Sequence, residues 1–294
     1  MEIVSGRTAR ILIVDGVPAR GTEENVRAGI EPYGDLYPKA LATRHPGLET
    51  FAIAIAEGES LPQGMTLADF DGVAFTGSPL SAYDDVPEVT RQIEFARTVF
   101  DSGVPSFGSC WGLQIMAAAL GGEVRANPKG YEIGIARAIR LTDAGRAHPM
   151  FAGKADGFAA IAIHRDEVVG MPTAARLLAS NDVSAVQAVE IEDDGRSFWG
   201  VQYHPEFTLG TIAGLVDKLK RRLAKDGFAQ REEELAELAT DWRTLDADPA
   251  RRDLAWKYGI GSDILDPRLR RVELSAWLDH KVLPRATARS AAAG

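Results

Sequence analysis

The sequence predicts an α/β fold: a mostly parallel central sheet with flanking helices, followed by a helical C-terminal extension. Three observations predict it. Residues 9–15 form a continuous apolar run, Ala-Arg-Ile-Leu-Ile-Val-Asp, of the kind found in strands covered on both faces. Residues 104–107 and 113–120 read as a short buried strand that turns sharply into a buried helix. Beyond residue 226 the composition shifts to charged amphipathic segments, with Asp266 as an N-cap followed by Pro267 at the first helical position.

Taken in order, residues 1–8 read as an unpacked arm and 9–15 as the first strand. A helix is expected over 23–30 and a second over 35–42. Residues 51–56 and 70–77 read as the next strands, the latter ending in Gly77-Ser78-Pro79. Pro87 opens a helix to about residue 100, whose Val89, Ile93, Ala96 and Phe100 recur at helical spacing and read as core. Gly121-Gly122 stops the helix that follows residue 110. Residues 131–140 alternate as a strand, 158–168 is the next apolar run, and 174–179, 185–191 and 197–203 are three more strands, with Asp193-Asp194-Gly195 as a hairpin turn. A helix over 207–223 closes the domain, its basic end complementing the helix dipole.

The candidate nucleophile is Cys110. Gly108-x-Cys110-x-Gly112 has the layout of a nucleophile elbow, in which small flanking residues allow a tight turn and leave the reactive atom above the sheet. A helix N-terminus behind the sulfur favours the thiolate, and its free N–H groups can face an oxyanion. A lone cysteine among apolar residues is ordinarily inert. Here the turn argues otherwise, and so does Trp199-Gly-Val-Gln-Tyr-His-Pro-Glu-Phe207, where an apolar strand delivers His204 and Glu206 at its end. Pro205 keeps His204 extended, so the two side chains point the same way. Thiolate, base and a carboxylate orienting the base are the parts of covalent acyl transfer.

Phe-Gly-Ser-Cys-Trp-Gly-Leu-Gln and Gly-Val-Gln-Tyr-His-Pro-Glu resemble the two signature segments of class I (triad) glutamine amidotransferases, and the resemblance runs from about Ile11 to Leu223. It implies a flavodoxin-like α/β domain in which Cys110 attacks a γ-glutamyl amide, His204 shuttles the proton and Glu206 holds the imidazole. It further implies oxyanion donors at the Gly77-Ser78 turn, where the family usually has Gly-Gly-Pro, and at the Trp111 N–H. Gln114 matches a position whose amide contacts substrate, and Gly134 one whose backbone approaches it. His164 and Arg165 stand where the family commonly has Ser-His-Gly-Asp, near the α-amino and α-carboxylate groups, so Arg165 brings a large cation to the substrate mouth or is a solvated loop charge. Tyr33-Gly-Asp-Leu-Tyr37 is similar to an aromatic segment lying over the active site of stand-alone members; its alternative is an ordinary surface helix.

Composition bounds the rest. A net charge of −9 without a dense basic patch argues against nucleic acid as a partner. The single cysteine forbids an intrachain disulfide, and five scattered histidines offer no zinc-like ligand spacing, so neither metal nor cofactor is expected. Without an 18-residue apolar run or a charged-then-apolar leader, no membrane is expected and the cytoplasm is the natural compartment. The expected organisation is an amidotransferase-like domain over 9–226, a helical extension over 227–283 and an unpacked tail over 284–294. Three of the five tryptophans, Trp242, Trp256 and Trp277, lie in the extension and suggest burial on the core or in a homodimer. Two functions stay open: a self-sufficient hydrolase of a small γ-glutamyl amide, favoured by the absence of a Gly-rich ATP-phosphate loop, and a glutaminase component passing ammonia to a separate synthase partner. A non-enzymatic binding module requires Cys110, His204 and Glu206 to coincide by chance.

Overall fold

The computed structural model describes residues 8–293. The arm expected at residues 1–8 therefore lies, apart from Thr8, outside the described residues. In chain order the elements begin with β1 (Arg10–Val14), α1 (Ala19–Arg27), α2 (Tyr33–Ala42), β2 (Glu49–Ile53), β3 (Gly72–Phe75), α3 (Pro87–Asp101), β4 (Ser106–Ser109) and α4 (Trp111–Ala119). There follow β5 (Glu123–Ala126), β6 (Glu132–Leu141), α5 (Asp143–Arg146), β7 (Gly157–His164), β8 (Asp166–Gly170), β9 (Ala175–Ser180), β10 (Ala188–Asp193) and β11 (Arg196–Val201). The chain ends in helices α6 (Leu209–Lys225), α7 (Glu232–Ala247), α8 (Arg252–Tyr258), α9 (Ser262–Leu265), α10 (Pro267–Arg270), α11 (Val272–Trp277) and α12 (Leu283–Ala293), with a π-helical turn, Leu278–Val282, between the last two.

The main sheet runs β2-β1-β3-β4-β11-β10-β9-β6-β7. It is parallel from β2 through β11, the half that carries Cys110 and the segment leading to His204, and antiparallel from there to β7. Asp194 and Gly195 both have positive φ, the geometry of a two-residue hairpin loop, as the sequence leads one to expect.

Boundaries shift where strand pairing overrides apolar runs. β4 extends through polar Ser109 because Ser109 pairs with Val201 on one side and Gly108 with Phe75 on the other. Residues 158–168 break at Arg165 into β7 and β8, and β8 pairs with β5 in a separate ribbon that apolar patterning missed.

β1 explains the layering. Leu12 and Val14 face a cluster with Val89, Phe100 and Leu113 of α3 and α4. Ile11 and Ile13 face the opposite cluster, which includes Tyr37 and Leu41 of α2 and Leu274, Trp277 and Leu278 of the extension. The extension thus supplies part of the layer on the sheet's second face.

Trp277 is fully buried and its ring lies 5.9 Å from Phe107. Trp242 is buried beside α6, whereas Trp256 is 87 % exposed on this chain. The tail differs from expectation. Residues 284–293 continue as a helix, rich in helix-favouring Ala and Arg. It is anchored by Arg289 on Asp71, 2.8 Å away, and by Arg285 on the Phe70 and Gly103 carbonyls.

The extension also brackets the segment carrying His204 and Glu206. Glu273, fully buried, accepts from the Tyr203 hydroxyl at 2.6 Å and pairs with Lys154. Asp246 accepts from the Thr208 hydroxyl at 3.0 Å and from the Leu209 N–H at 3.1 Å. Trp277→Ala should accordingly cost about 3–5 kcal/mol, the range for deleting a large buried aromatic. Denaturant unfolding measures this, and a cost below about 1 kcal/mol would mean that the extension is not part of the core.

Candidate active site

Cys110 sits where β4 turns into α4. Its backbone has φ 51° and ψ −102°, a strained region for a non-glycine residue that costs on the order of 1–3 kcal/mol and is held by the surroundings. The turn closes because nothing projects from its glycines: a Cβ on Gly108 would lie 2.6 Å from the Gly112 carbonyl carbon, and one on Gly112 2.7 Å from the Phe75 Cβ. The Cys110 N–H is anchored on the Val201 carbonyl at 2.8 Å, and the sulfur lies 3.5 Å from the Ile163 carbonyl oxygen.

β11 delivers the partners. The His204 N–H donates to the Ile161 carbonyl at 2.7 Å, and His204 Nδ1 lies 2.7 Å from Glu206 Oε1. Both side chains are buried, and the imidazole stacks on Phe207 with ring centroids 4.0 Å apart. Burial opposes charge on the ring. The Glu206 carboxylate, together with Cys110, outweighs it and pushes the His204 pKa up to about 10. Nε2 is buried without a formed hydrogen bond, and Cys110 is close enough to act on the charge of the ring.

Behind the carboxylate stands a chain that sequence reasoning did not find. Tyr37 donates to Ser109 Oγ at 2.8 Å, and Ser109 donates to Glu206 Oε1 at 2.9 Å. Glu206 Oε1 thus accepts twice. Tyr37 therefore lies beneath the Glu206 carboxylate, while Tyr33 lines the cavity with its ring set edgewise to His204, 6.4 Å between centroids. Asp15 fixes that segment: it accepts from the Val17 N–H at 2.9 Å and the Gly34 N–H at 3.1 Å, although burial raises its pKa. Its position at the carboxyl end of the first strand was the available signal.

A cavity of about 340 Å³ opens over Cys110. Ser78, Gln114, His164, Arg165 and His204 all line it. Gly77 lies directly behind His204, where a Cβ would approach the imidazole Cε1 to 2.7 Å. Trp111 begins α4, so its N–H belongs to the unsatisfied first turn, and its indole donates to Gln92 Oε1 at 2.9 Å. Gln114 Nε2 donates to the Asp166 carbonyl at 3.0 Å, which fixes its amide at the cavity wall. His164 is buried, with Nε2 2.9 Å from Glu132. Burial would raise the Glu132 pKa, but His164, Asn181 and Gln187 together lower it. Arg165 is exposed at the rim.

Gly134 is placed differently from expectation. It is not among the residues lining the cavity; Tyr131 takes that place. Gly134 has φ 93°, and a Cβ there would lie 2.8 Å from the Trp242 ring. Its bare backbone therefore seats an indole of the extension. Among the described residues no group of His, Cys, Asp and Glu is placed to hold a metal ion, and no helix is long and apolar enough to cross a membrane.

Residues 43–217 match the model of the glutamine amidotransferase class-I family. A γ-glutamyl-L-1-hydroxyisopropylamide hydrolase from a Pseudomonas species is 37 % identical over 227 residues, 76 % of each chain. A glutamine-hydrolysing GMP synthase subunit from Sulfolobus acidocaldarius is 34 % identical over 175 residues, 59 % of this chain and 84 % of its own. The crystal structure of a glutamine amidotransferase from Thermotoga maritima superposes with a TM-score of 0.66 over 94 % of this chain and 99 % of its own, at 18 % identity, and so shares the fold. The family model spans more than half of the chain and a relative well above 30 % identity spans three quarters of it: the chain belongs to the class-I glutamine amidotransferases and is an amide hydrolase.

Proposed function

We propose that the chain is a self-sufficient hydrolase that cleaves a γ-glutamyl amide, glutamine or a γ-glutamylated amine or peptide, through a γ-glutamyl thioester on Cys110. The observation that carries this reading is the buried His204–Glu206 pair, 2.7 Å apart, beside a cysteine on a strained elbow at the floor of a cavity. The sulfur attacks the amide carbon, and the carbonyl electrons move to oxygen, facing the N–H groups of Trp111 and of the Gly77-Ser78 turn. As the C–N bond breaks, His204 Nε2 gives its proton to the leaving nitrogen. Water then yields a proton to His204 and attacks the thioester, releasing glutamate and the cysteine. Gln114, His164 and Arg165 would hold the glutamyl group.

The relative that spans three quarters of both chains is named a γ-glutamyl amide hydrolase, which favours this reading. The resemblance to a component of GMP synthase supports a second one, in which ammonia passes to a separate synthase. Trp242 and Trp277 are buried within the chain itself, which leaves the exposed Trp256 as the one tryptophan of the extension open to a second subunit. The deciding assay gives the purified chain glutamine and a panel of γ-glutamyl amines and peptides, and reads glutamate and amine released. Turnover by the lone chain is expected. Turnover that appears only with an added synthase would assign it to the second reading.

A further inference from the structure

Three buried groups stand in line behind the imidazole of His204: Tyr37 of α2, Ser109 at the end of β4, and Glu206. Chemistry fixes the order of their protons. A carboxylate only accepts, so the Ser109 hydroxyl must donate to Glu206 Oε1, 2.9 Å away, and its oxygen is left to accept from Tyr37 at 2.8 Å. The Phe75 carbonyl, 3.1 Å from the Tyr37 hydroxyl, competes for that proton and has none of its own to give. Burial first, and the Glu206 charge after it, push the Tyr37 pKa far above its ordinary value, so this donor keeps its proton.

The chain ends on one particular oxygen. Oε1 is also the atom that meets His204 Nδ1 at 2.7 Å, while Oε2 is buried with no partner. A donor on Oε1 draws off part of the negative charge that would otherwise act on the imidazole, and the bond from Tyr37 makes Ser109 a stronger donor. Glu206 is felt as well by Tyr33 of α2 and by Arg271 of the extension, on which Asp246 also acts, and Cys110 acts on the ring itself. Removing either hydroxyl of the chain changes none of these charges.

The two halves of the reaction ask opposite things of His204. In the first, Nε2 gives a proton to the leaving nitrogen. In the second it must be neutral: it takes a proton from water while the water oxygen attacks the thioester carbon, the C–S bond breaks and its electron pair returns to sulfur. An imidazolium held too tightly keeps a thiolate available for the first half but stalls the second.

We propose that Ser109 and Tyr37 are positioning residues that temper the hold of Glu206 on the His204 proton, so that His204 is free to act as base when water attacks the thioester. The proposal rests on the hydrolase reading of the same site and adds two residues to it.

The test gives wild type, Ser109→Ala and Tyr37→Phe the γ-glutamyl amides of the assay above, glutamine among them. Rates are counted per Cys110 labelled by a glutamine-like affinity reagent, so an unfolded fraction drops out. In Ser109→Ala kcat should fall about tenfold and KM with it, leaving kcat/KM within about threefold of wild type, because only the second half slows. Amine should then appear in a burst of about one per labelled site, ahead of glutamate. Turnover should also go on rising to a higher pH than in wild type, since the ring sheds its proton later. Tyr37→Phe should move the same way by a smaller factor, because Ser109 still donates. If kcat and kcat/KM fall together with the pH dependence of wild type, the hydroxyls merely support the elbow and the proposal is overturned. Variants that match wild type throughout would overturn it equally. No glutamate from wild type on any substrate, with Cys110 unlabelled, would instead sink the hydrolase reading itself.

Discussion

Cys110→Ala should abolish γ-glutamyl amide hydrolysis, a loss on the order of 10⁶-fold, and leave a folded protein. The chain holds one cysteine, so no other thiol can take over. The substitution removes a single sulfur from the cavity floor, and its anchoring bond from the backbone N–H to Val201 does not involve the side chain. Stability should therefore change by about 1 kcal/mol or less, unlike a substitution in the packed core. Glutamine-like affinity labels should add to the wild-type chain at Cys110 and leave Cys110→Ala unmodified, as read by intact mass. A near-normal rate in the alanine variant would remove the nucleophile assignment and the thioester with it.

Cys110, His204 and Glu206 were legible as candidates because each carries a local signal. Small residues around Cys110 announce the elbow, and a proline after His204 sets the direction of its neighbours. What stayed hidden depends on contacts between distant segments. Ser109 is an unremarkable strand residue until β4 is seen beside the segment after β11, where its hydroxyl meets Glu206. Gly134 matched a substrate-contacting position of the family, yet its positive φ and missing Cβ serve Trp242, more than a hundred residues later. The extension read as an appendage because its helices are short and charged. Leu274, Trp277, Leu278 and Val282 nevertheless complete the layer on one face of the sheet. Asp266 and Pro267 do open a helix, but it is the short α10, followed by α11 and a π-helical turn and not by one long helix. Helical periodicity over 267–281 locates apolar positions but does not register where the chain must bend to follow the sheet.

Glu206→Gln should lower kcat/KM by on the order of 10²–10⁴-fold, less than the loss at Cys110. The substitution keeps the shape of the site and removes its charge. Glu206 Oε1 accepts both from Ser109 at 2.9 Å and from His204 at 2.7 Å, so the glutamine carbonyl can occupy the same place and keep both bonds. Its amide nitrogen then falls where Glu206 Oε2 lies buried with no partner, which adds a penalty of about 1–3 kcal/mol. The larger consequence is electrostatic. Burial disfavours the His204 imidazolium, and it is the Glu206 carboxylate, aided by Cys110, that holds its pKa up at about 10. Without that charge burial prevails and the pKa falls, so the imidazolium is lost at a lower pH. A neutral ring neither steadies a thiolate nor carries the proton that the leaving amine needs. Alkylation of Cys110 followed against pH separates this from a structural effect. In the wild type the imidazolium persists across the neutral range, so the rate should be nearly flat there; in Glu206→Gln the imidazolium is lost at a lower pH and the rate should vary across that range. A variant as inactive as Cys110→Ala, with alkylation abolished at every pH, would make Glu206 a structural support of the elbow instead of the residue that orients and charges His204.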